Sequence, residues 1–192
     1  MEKELRLYTV SDEYVQYLSK FDKKVMSNKE EERKFERKYL GIIFNNNEFN
    51  YFVPLASPKG SDYFIDENGD KQIRKSIIPI IRMLYKNSDG ETILLGTLKL
   101  NNMIPVMDDV VNEYDAVSEP HSAYRDLVYK EWDFIRKNKS QIYNHASILY
   151  KQKIRKLNIS YLDNTVDFPL LEQKMKEYIS HISTRNSEKP II

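Results

Sequence analysis

Near the start of the chain Leu5, Leu7 and Thr9 alternate with Arg6 and Tyr8. That period of two predicts a half-buried strand. Ser11 follows as an N-cap. Tyr14, Val15, Leu18 and Phe21 then fall at helical spacing, so a short amphipathic helix is predicted to about Asp22. Residues 23–38 are almost entirely charged and read as a loop or a mobile helix. Two β-branched and aromatic runs, 39–44 and 49–55, flank an Asn-rich link and predict a hairpin. A turn is predicted at 66–70, where Asn68-Gly69 suits type I′ geometry. A further hairpin pairs 76–85 with 92–100 across Asn87-Ser88-Asp89-Gly90. Pro79 inside the first of these runs points to an edge strand or a bulge. Residues 103–106 give one more short strand.

After Glu119 the period lengthens. Tyr124, Leu127, Val128, Glu131, Phe134 and Ile135 repeat at 3.6, and Ile142, Ala146, Leu149, Lys153 and Leu157 carry a second helix. Asp167 caps a third, with Leu170, Leu171, Met175, Tyr178 and Ile182 on one face. Strands first and helices after them argue for an α+β fold, a twisted antiparallel sheet with packed helices. One domain over 1–183 and a C-terminal tail over 184–192 are expected.

Composition narrows the class. The 192 residues suffice for one core, and 41% hydrophobic with 31% charged residues is a globular balance. There is no Cys, which removes disulfides and thiolate metal sites and fits a reducing cytoplasm. The N-terminus lacks the apolar core of a signal peptide, and no apolar run approaches the ~20 residues of a membrane span. The net charge of +1 hides an uneven distribution. Between 134 and 161 stand Arg136, Lys137, Lys139, Lys151, Lys153, Arg155 and Lys156, with no acid among them. Asp108, Asp109, Glu113, Asp115 and Glu119 form an acidic stretch before it. The basic segment is either a surface for a polyanion or a solvated helix face.

No phosphate-loop, dinucleotide or metalloprotease motif occurs, and His121, His145 and His181 lie far apart, as packing or surface histidines do. The segment that stands out is PLASPKG, residues 54–60, where a hydrophobic strand ends in Ser-Pro-Lys. Pro58 biases Ser57 toward extended geometry. Ser57 and Lys59, two apart, then face one way and offer a hydroxyl and an ammonium to one phosphate. The other reading is a strand-ending turn with a solvated Lys.

YLGIIF followed by NYFVPLASPK resembles the ToxN/AbiQ family, the endoribonuclease toxins of type III toxin–antitoxin systems. Further matches keep the family's order: LRLYTVSDEYVQYLSKFDKKV, LGTLKLNNMIPV, YRDLVYKEWDFIRKNKSQI and DFPLLEQKMKEY. The resemblance implies a Kid/MazF-like fold with a strongly twisted sheet. It implies RNA cleavage without metal or cofactor, leaving a 2′,3′-cyclic phosphate and a 5′-hydroxyl. It implies a repetitive pseudoknot RNA antitoxin that the enzyme processes and binds in a cyclic toxin–RNA assembly, cellular or phage RNA as substrate, and phage defence by abortive infection. Ser57 and Lys59 match the family's active-site Ser and Lys. Arg37 matches the basic residue before the aromatic-aliphatic-Gly run, with Lys38 beside it. A hydroxyl residue often precedes the Ser; here Ala56 stands there. On this footing Lys59 and Arg37 bind the scissile phosphate and Ser57 hydrogen-bonds the 2′-hydroxyl or a phosphate oxygen. The acceptor of the 2′ proton stays open, with Lys59 a candidate. The basic stretch, with Tyr143, Tyr150 and Tyr161 for stacking, supplies RNA affinity. Two other readings keep parts of this picture: a non-catalytic RNA-binding module, and a MazF-like ribonuclease with a protein antitoxin.

Overall fold

The computed structural model describes residues 5–28, 35–46 and 48–187, with side chains to Ser180. Strand β1 (Arg6–Val10) leads into α1 (Asp12–Phe21), whose N-terminus is capped by Ser11 Oγ accepting the Tyr14 N–H at 3.2 Å. The aromatic runs form β2 (Tyr39–Asn45) and β3 (Asn50–Ala56). Short strands β4 (Tyr63–Ile65) and β5 (Lys71–Ile73) pair apart from the main sheet. Strands β6 (Ile80–Lys86), β7 (Thr92–Lys99), β8 (Ile104–Val106) and β9 (Val111–Glu113) complete the strand half. Helices α2 (Ser122–Lys137), α3 (Lys139–Ile154) and α4 (Phe168–Ser187) follow.

The main sheet is antiparallel in the order β6-β7-β3-β2-β1-β9. Strand β3 changes partner along its length. Asn50 to Phe52 pair with β8, whereas Leu55 and Ala56 pair with β7. Its last residue is therefore still held in the sheet when Ser57 leaves it. Gly41 in β2 permits a close approach, because a Cβ there would strike the Phe52 ring. Helix α2 packs on β6 and β7, α3 on β2, and α4 on β8 and α1. Leu18, Leu40, Ile81, Leu98, Ile135, Leu149, Phe168 and Leu171 lie in the resulting core. Each such side chain contributes roughly 1.5–3 kcal/mol of burial.

Several elements differ from the sequence reading. The turn at Asn68-Gly69 is not type I′: only Gly69 has positive φ, at 84°. The Gly69 N–H donates to Asp66 O and the Asp66 N–H to Asp70 O, a type I turn closed by a left-handed glycine. Asp66 Oδ1 accepts the Asn68 and Asp70 N–H groups, which favours this turn over the mirror form. Gly90 (φ 82°) and Asn87 repeat the arrangement. Pro79 precedes β6, which is the edge strand. Strand β9 arises inside the acidic stretch, where no apolar alternation marks it, and the Arg6–Glu113 ion pair at 2.6 Å joins it to β1. Helix α4 continues to Ser187, past the expected start of the tail at 184, and residues 188–192 lie outside the description. Part of the charged segment 23–38, residues 29–34, also lies outside it. No described helix is long and apolar enough to cross a membrane.

Candidate active site

The end of β3, the segment before β2 and one face of α2 enclose a cleft of about 410 Å³. Arg37, Lys38, Ser57 and Lys59 all line it, so residues some twenty positions apart in sequence meet at one place. The Leu55 N–H donates to Lys38 O at 2.9 Å and locks these two chain segments together. Ser57 and Lys59 are exposed to the cleft.

The Lys59 main chain is fixed from both sides by Asp62. The Lys59 N–H donates to Asp62 Oδ2 at 3.0 Å, and the Asp62 N–H donates to Lys59 O at 2.9 Å. Asp62 is itself held by Arg82, whose Nη2 lies 3.0 Å from Asp62 Oδ1, both side chains being buried. Arg82 Nη1 donates to Lys75 O at 2.8 Å. The Ser-Pro-Lys turn thus rests on a buried ion pair, with the Lys59 main chain tied to Asp62 and the Ser57 and Lys59 side chains exposed to the cleft.

Arg37 does not sit as the resemblance implied. It is 1% exposed, and its Nε and Nη1 donate to the carbonyls of Ser27 and Leu55 at 2.9 and 3.0 Å. Burial under the strand turns its fork toward the backbone. What it lends the cleft is a fixed positive charge beside Ser57 rather than an open bidentate contact. Lys38, expected among the RNA-binding residues, is instead buried in the cleft wall. Its Nζ lies 4.2 Å from the Tyr114 ring centroid and 3.8 Å from Glu36 Oε2. Burial lowers its pKa, and the nearby Glu36 and Glu119 partly oppose that shift.

Opposite Ser57 the cleft is apolar, with Met26, Phe35, Leu95, Tyr124 and Leu127. Phe35 stacks on Tyr124 at 4.0 Å, and His121 meets Phe35 edge-on at 5.1 Å. Glu131 of α2 also lines this half. It has no hydrogen-bond or ion-pair partner among the described residues, and burial pushes its carboxyl up to about 8. Neither Glu131 nor the Asp62–Arg82 pair stood out as functional in the sequence. The signals were an acid on the apolar period of α2 and an acid three residues after Lys59.

The basic stretch is not one surface. Arg136 and Lys137 end α2, where both pair with Asp133, and Lys139 lies 5.6 Å from the Tyr143 ring at the start of α3. Lys151, Lys153, Arg155 and Lys156 lie at the other end of α3, a separation of roughly 20–25 Å along a helix of this length. Lys153 donates to Leu162 O at 2.8 Å. Tyr150 is buried and donates to Glu172, which removes it from stacking on RNA; Tyr143 is partly buried against the core, and Tyr161 bonds Gln152. Of the histidines, His121 is exposed beside Glu119, and His145 is partly buried with its Nδ1 unbonded. The side chain of His181 lies outside the description. No group of three or more His, Asp or Glu among the described residues is arranged to hold a metal ion.

An α+β fold with a Ser-Pro-Lys turn beside a basic cleft defines a class, and the family model for the toxin ToxN of type III toxin–antitoxin systems matches residues 6–176. The chain belongs to that family. It is 26% identical to Endoribonuclease ToxN of Pectobacterium atrosepticum over 174 residues, covering 91% of this chain and 94% of that protein. It is 29% identical to Endoribonuclease ToxN of Bacillus thuringiensis subsp. kurstaki, covering 96% and 89%. Endoribonuclease AbiQ of Lactococcus lactis subsp. lactis is 30% identical, with 91% and 89% covered. Among solved structures, one from a bacterial antiviral system regulated by a processed non-coding RNA superposes with a TM-score of 0.74 at 26% identity, over 90% of this chain and 98% of that one. A toxin whose type III system uses selective inhibition by a non-coding RNA pseudoknot gives 0.71 at 26% identity, covering 92% and 98%. The lactococcal anti-phage endoribonuclease AbiQ gives 0.72 at 26% identity, covering 93% and 99%.

Proposed function

We propose that this chain is an endoribonuclease toxin that cleaves RNA in the Ser57–Lys59 cleft and is inhibited by an RNA antitoxin. The observation that carries the reading is the convergence of Ser57, Lys59, Lys38 and the buried Arg37 charge on one cleft. Family membership and the endoribonuclease names of the relatives support the activity.

RNA brings its own nucleophile. In the proposed step the 2′-oxygen bonds to the adjacent phosphorus and the bond from phosphorus to the 5′-oxygen breaks. The products are a 2′,3′-cyclic phosphate and a 5′-hydroxyl. The Lys59 ammonium and the fixed Arg37 charge stabilise the developing negative charge, a preorganised effect that needs no metal ion. Ser57 donates to a phosphate oxygen and holds the in-line geometry. Lys38, whose pKa burial lowers, presents a neutral amine more readily than a solvated lysine and takes the 2′ proton. Water supplies the proton to the departing 5′-oxygen.

The RNA antitoxin, a folded pseudoknot of the kind the superposed type III system uses, binds across the cleft and the basic ends of α3 in a closed toxin–RNA assembly. The test is expression of the chain and of Ser57→Ala in bacteria, with RNA 5′ ends mapped. New 5′-hydroxyl ends at a short recurrent sequence with the parent chain alone support the reading. Intact RNA with both chains favours a non-catalytic RNA-binding module.

A further inference from the structure

We infer that Glu131, with the apolar wall around it, forms a nucleobase pocket beside the reacting phosphate, where its carboxyl hydrogen-bonds the edge of one base and so helps set the cleavage sequence. The inference rests on the ribonuclease reading of the cleft. Its first ground is position. Glu131 projects from α2 across β7, and the crossing is possible because residue 96 is glycine. A Cβ there would stand 2.6 Å from Glu131 Oε1 and 3.0 Å from Ala56 O. The carboxyl therefore lies close to the residue that precedes Ser57.

The second ground is vacancy of its bonding capacity. At 7% exposed, Glu131 is more than nine-tenths buried, yet no described residue satisfies it and it lines the cleft. Its oxygens are not among the fully enclosed ones without a partner, so the carboxyl opens on the cleft, where a ligand that replaces water can complete its hydrogen bonds. The surrounding side chains say what kind of partner fits. Phe35 and Tyr124 present aromatic surface and Leu95 and Leu127 present apolar surface, which suit a flat ring rather than a phosphate.

The third ground is charge. A carboxylate would repel a polyanion, but burial holds Glu131 protonated at neutral pH. Among the described residues, the charged groups lining the cleft with it are Glu36, Arg37 and Lys38 from the segment before β2, and Lys59 after β3; on β6 and β7 the residues at this place, Met83, Leu95 and Gly96, carry no charge. Burial alone accounts for its shift. A neutral carboxyl offers one donor and one acceptor on one edge, matching the donor–acceptor edges of bases. An ionised carboxylate offers acceptors only and favours a base edge with two donors, such as the N1 and N2 edge of guanine.

The experiment compares the wild-type chain, Glu131→Gln and Glu131→Ala on a randomised RNA pool, scoring cleavage sites at pH values on both sides of 8. Wild-type preference at one nucleotide position flanking the cut is expected to change as pH rises through that value. Glu131→Gln, neutral throughout, keeps a preference that does not move with pH. Glu131→Ala loses discrimination at that position by about tenfold or more while still cutting. Thermal melting of the three chains separates this from misfolding. An unchanged consensus in Glu131→Ala, or a loss of rate uniform over all sequences in Glu131→Gln, overturns the inference. Absence of cleavage by the wild-type chain itself overturns the ribonuclease reading instead.

Discussion

Lys59 and Asp62 hold one another through two hydrogen bonds, Lys59 N–H to Asp62 Oδ2 at 3.0 Å and Asp62 N–H to Lys59 O at 2.9 Å. The second oxygen of Asp62 takes the buried Arg82. Asp62→Ala leaves a buried guanidinium without its partner and frees the Ser-Pro-Lys turn. A loss of about 3–5 kcal/mol of stability is expected from such a break, measured by denaturant unfolding. Asp62→Asn keeps the shape and a carbonyl acceptor, so its stability loss should be smaller. Equal melting of Asp62→Ala and the parent would contradict this account of the turn.

Lys38 should shape the pH–rate profile. Burial lowers its pKa, so the neutral amine proposed to accept the 2′ proton becomes available at lower pH than for a solvated lysine. The cleavage rate should rise with pH and then level as Lys38 finishes losing its proton. Lys38→Met should abolish that limb and cost on the order of 10²-fold or more in rate. Single-turnover rates across pH decide it.

Glu131 makes stability fall with rising pH. Its folded pKa is raised to about 8, above the usual unfolded value of about 4.3, so the folded state binds the proton more tightly. The stabilisation is complete below the unfolded pKa and is lost as pH climbs to about 8. Glu131→Gln has no such proton. It should therefore gain on the parent by on the order of a few kcal/mol between mildly acidic and alkaline pH. Parallel stability curves for the two chains would remove the buried-acid account.

The two basic ends of α3 should contribute unequally to antitoxin binding. Arg136 and Lys137 share Asp133, whereas Lys151 and Arg155 have no ion-pair partner among the described residues. Lys151→Ala or Arg155→Ala should lower the slope of log affinity against log salt by about 1, and Arg136→Ala by less. Filter binding over a salt series reads this directly.

Local chemistry was legible wherever it decides structure alone. Ser11 and Asp167 cap α1 and α4 as polar residues before apolar periods should. The aromatic runs around an Asn-rich link form the β2–β3 hairpin. The end of β3 just before Ser57 was legible because Pro58 marks it. What escaped depends on distant partners. Strand β9 lies in acidic sequence and exists because β1 supplies an edge and Arg6 a counter-charge. Arg37 looks like an exposed base in sequence, and only the fold shows Ser27 and Leu55 taking its N–H groups. Glu131 was visible as an acid on an apolar helix face, but its meaning needed Gly96 and the cleft. The basic stretch read as one patch because sequence hides the length of the helix that divides it.

The most direct test of the central claim is cleavage of a matched pair of RNA oligonucleotides, one carrying a single 2′-deoxy substitution at the scissile nucleotide. The account predicts that the all-ribose strand is cut to a 2′,3′-cyclic phosphate and a 5′-hydroxyl, and that the substituted strand stays whole at that bond. Cleavage of the 2′-deoxy strand at the same position would contradict it, since the attacking oxygen would then come from elsewhere.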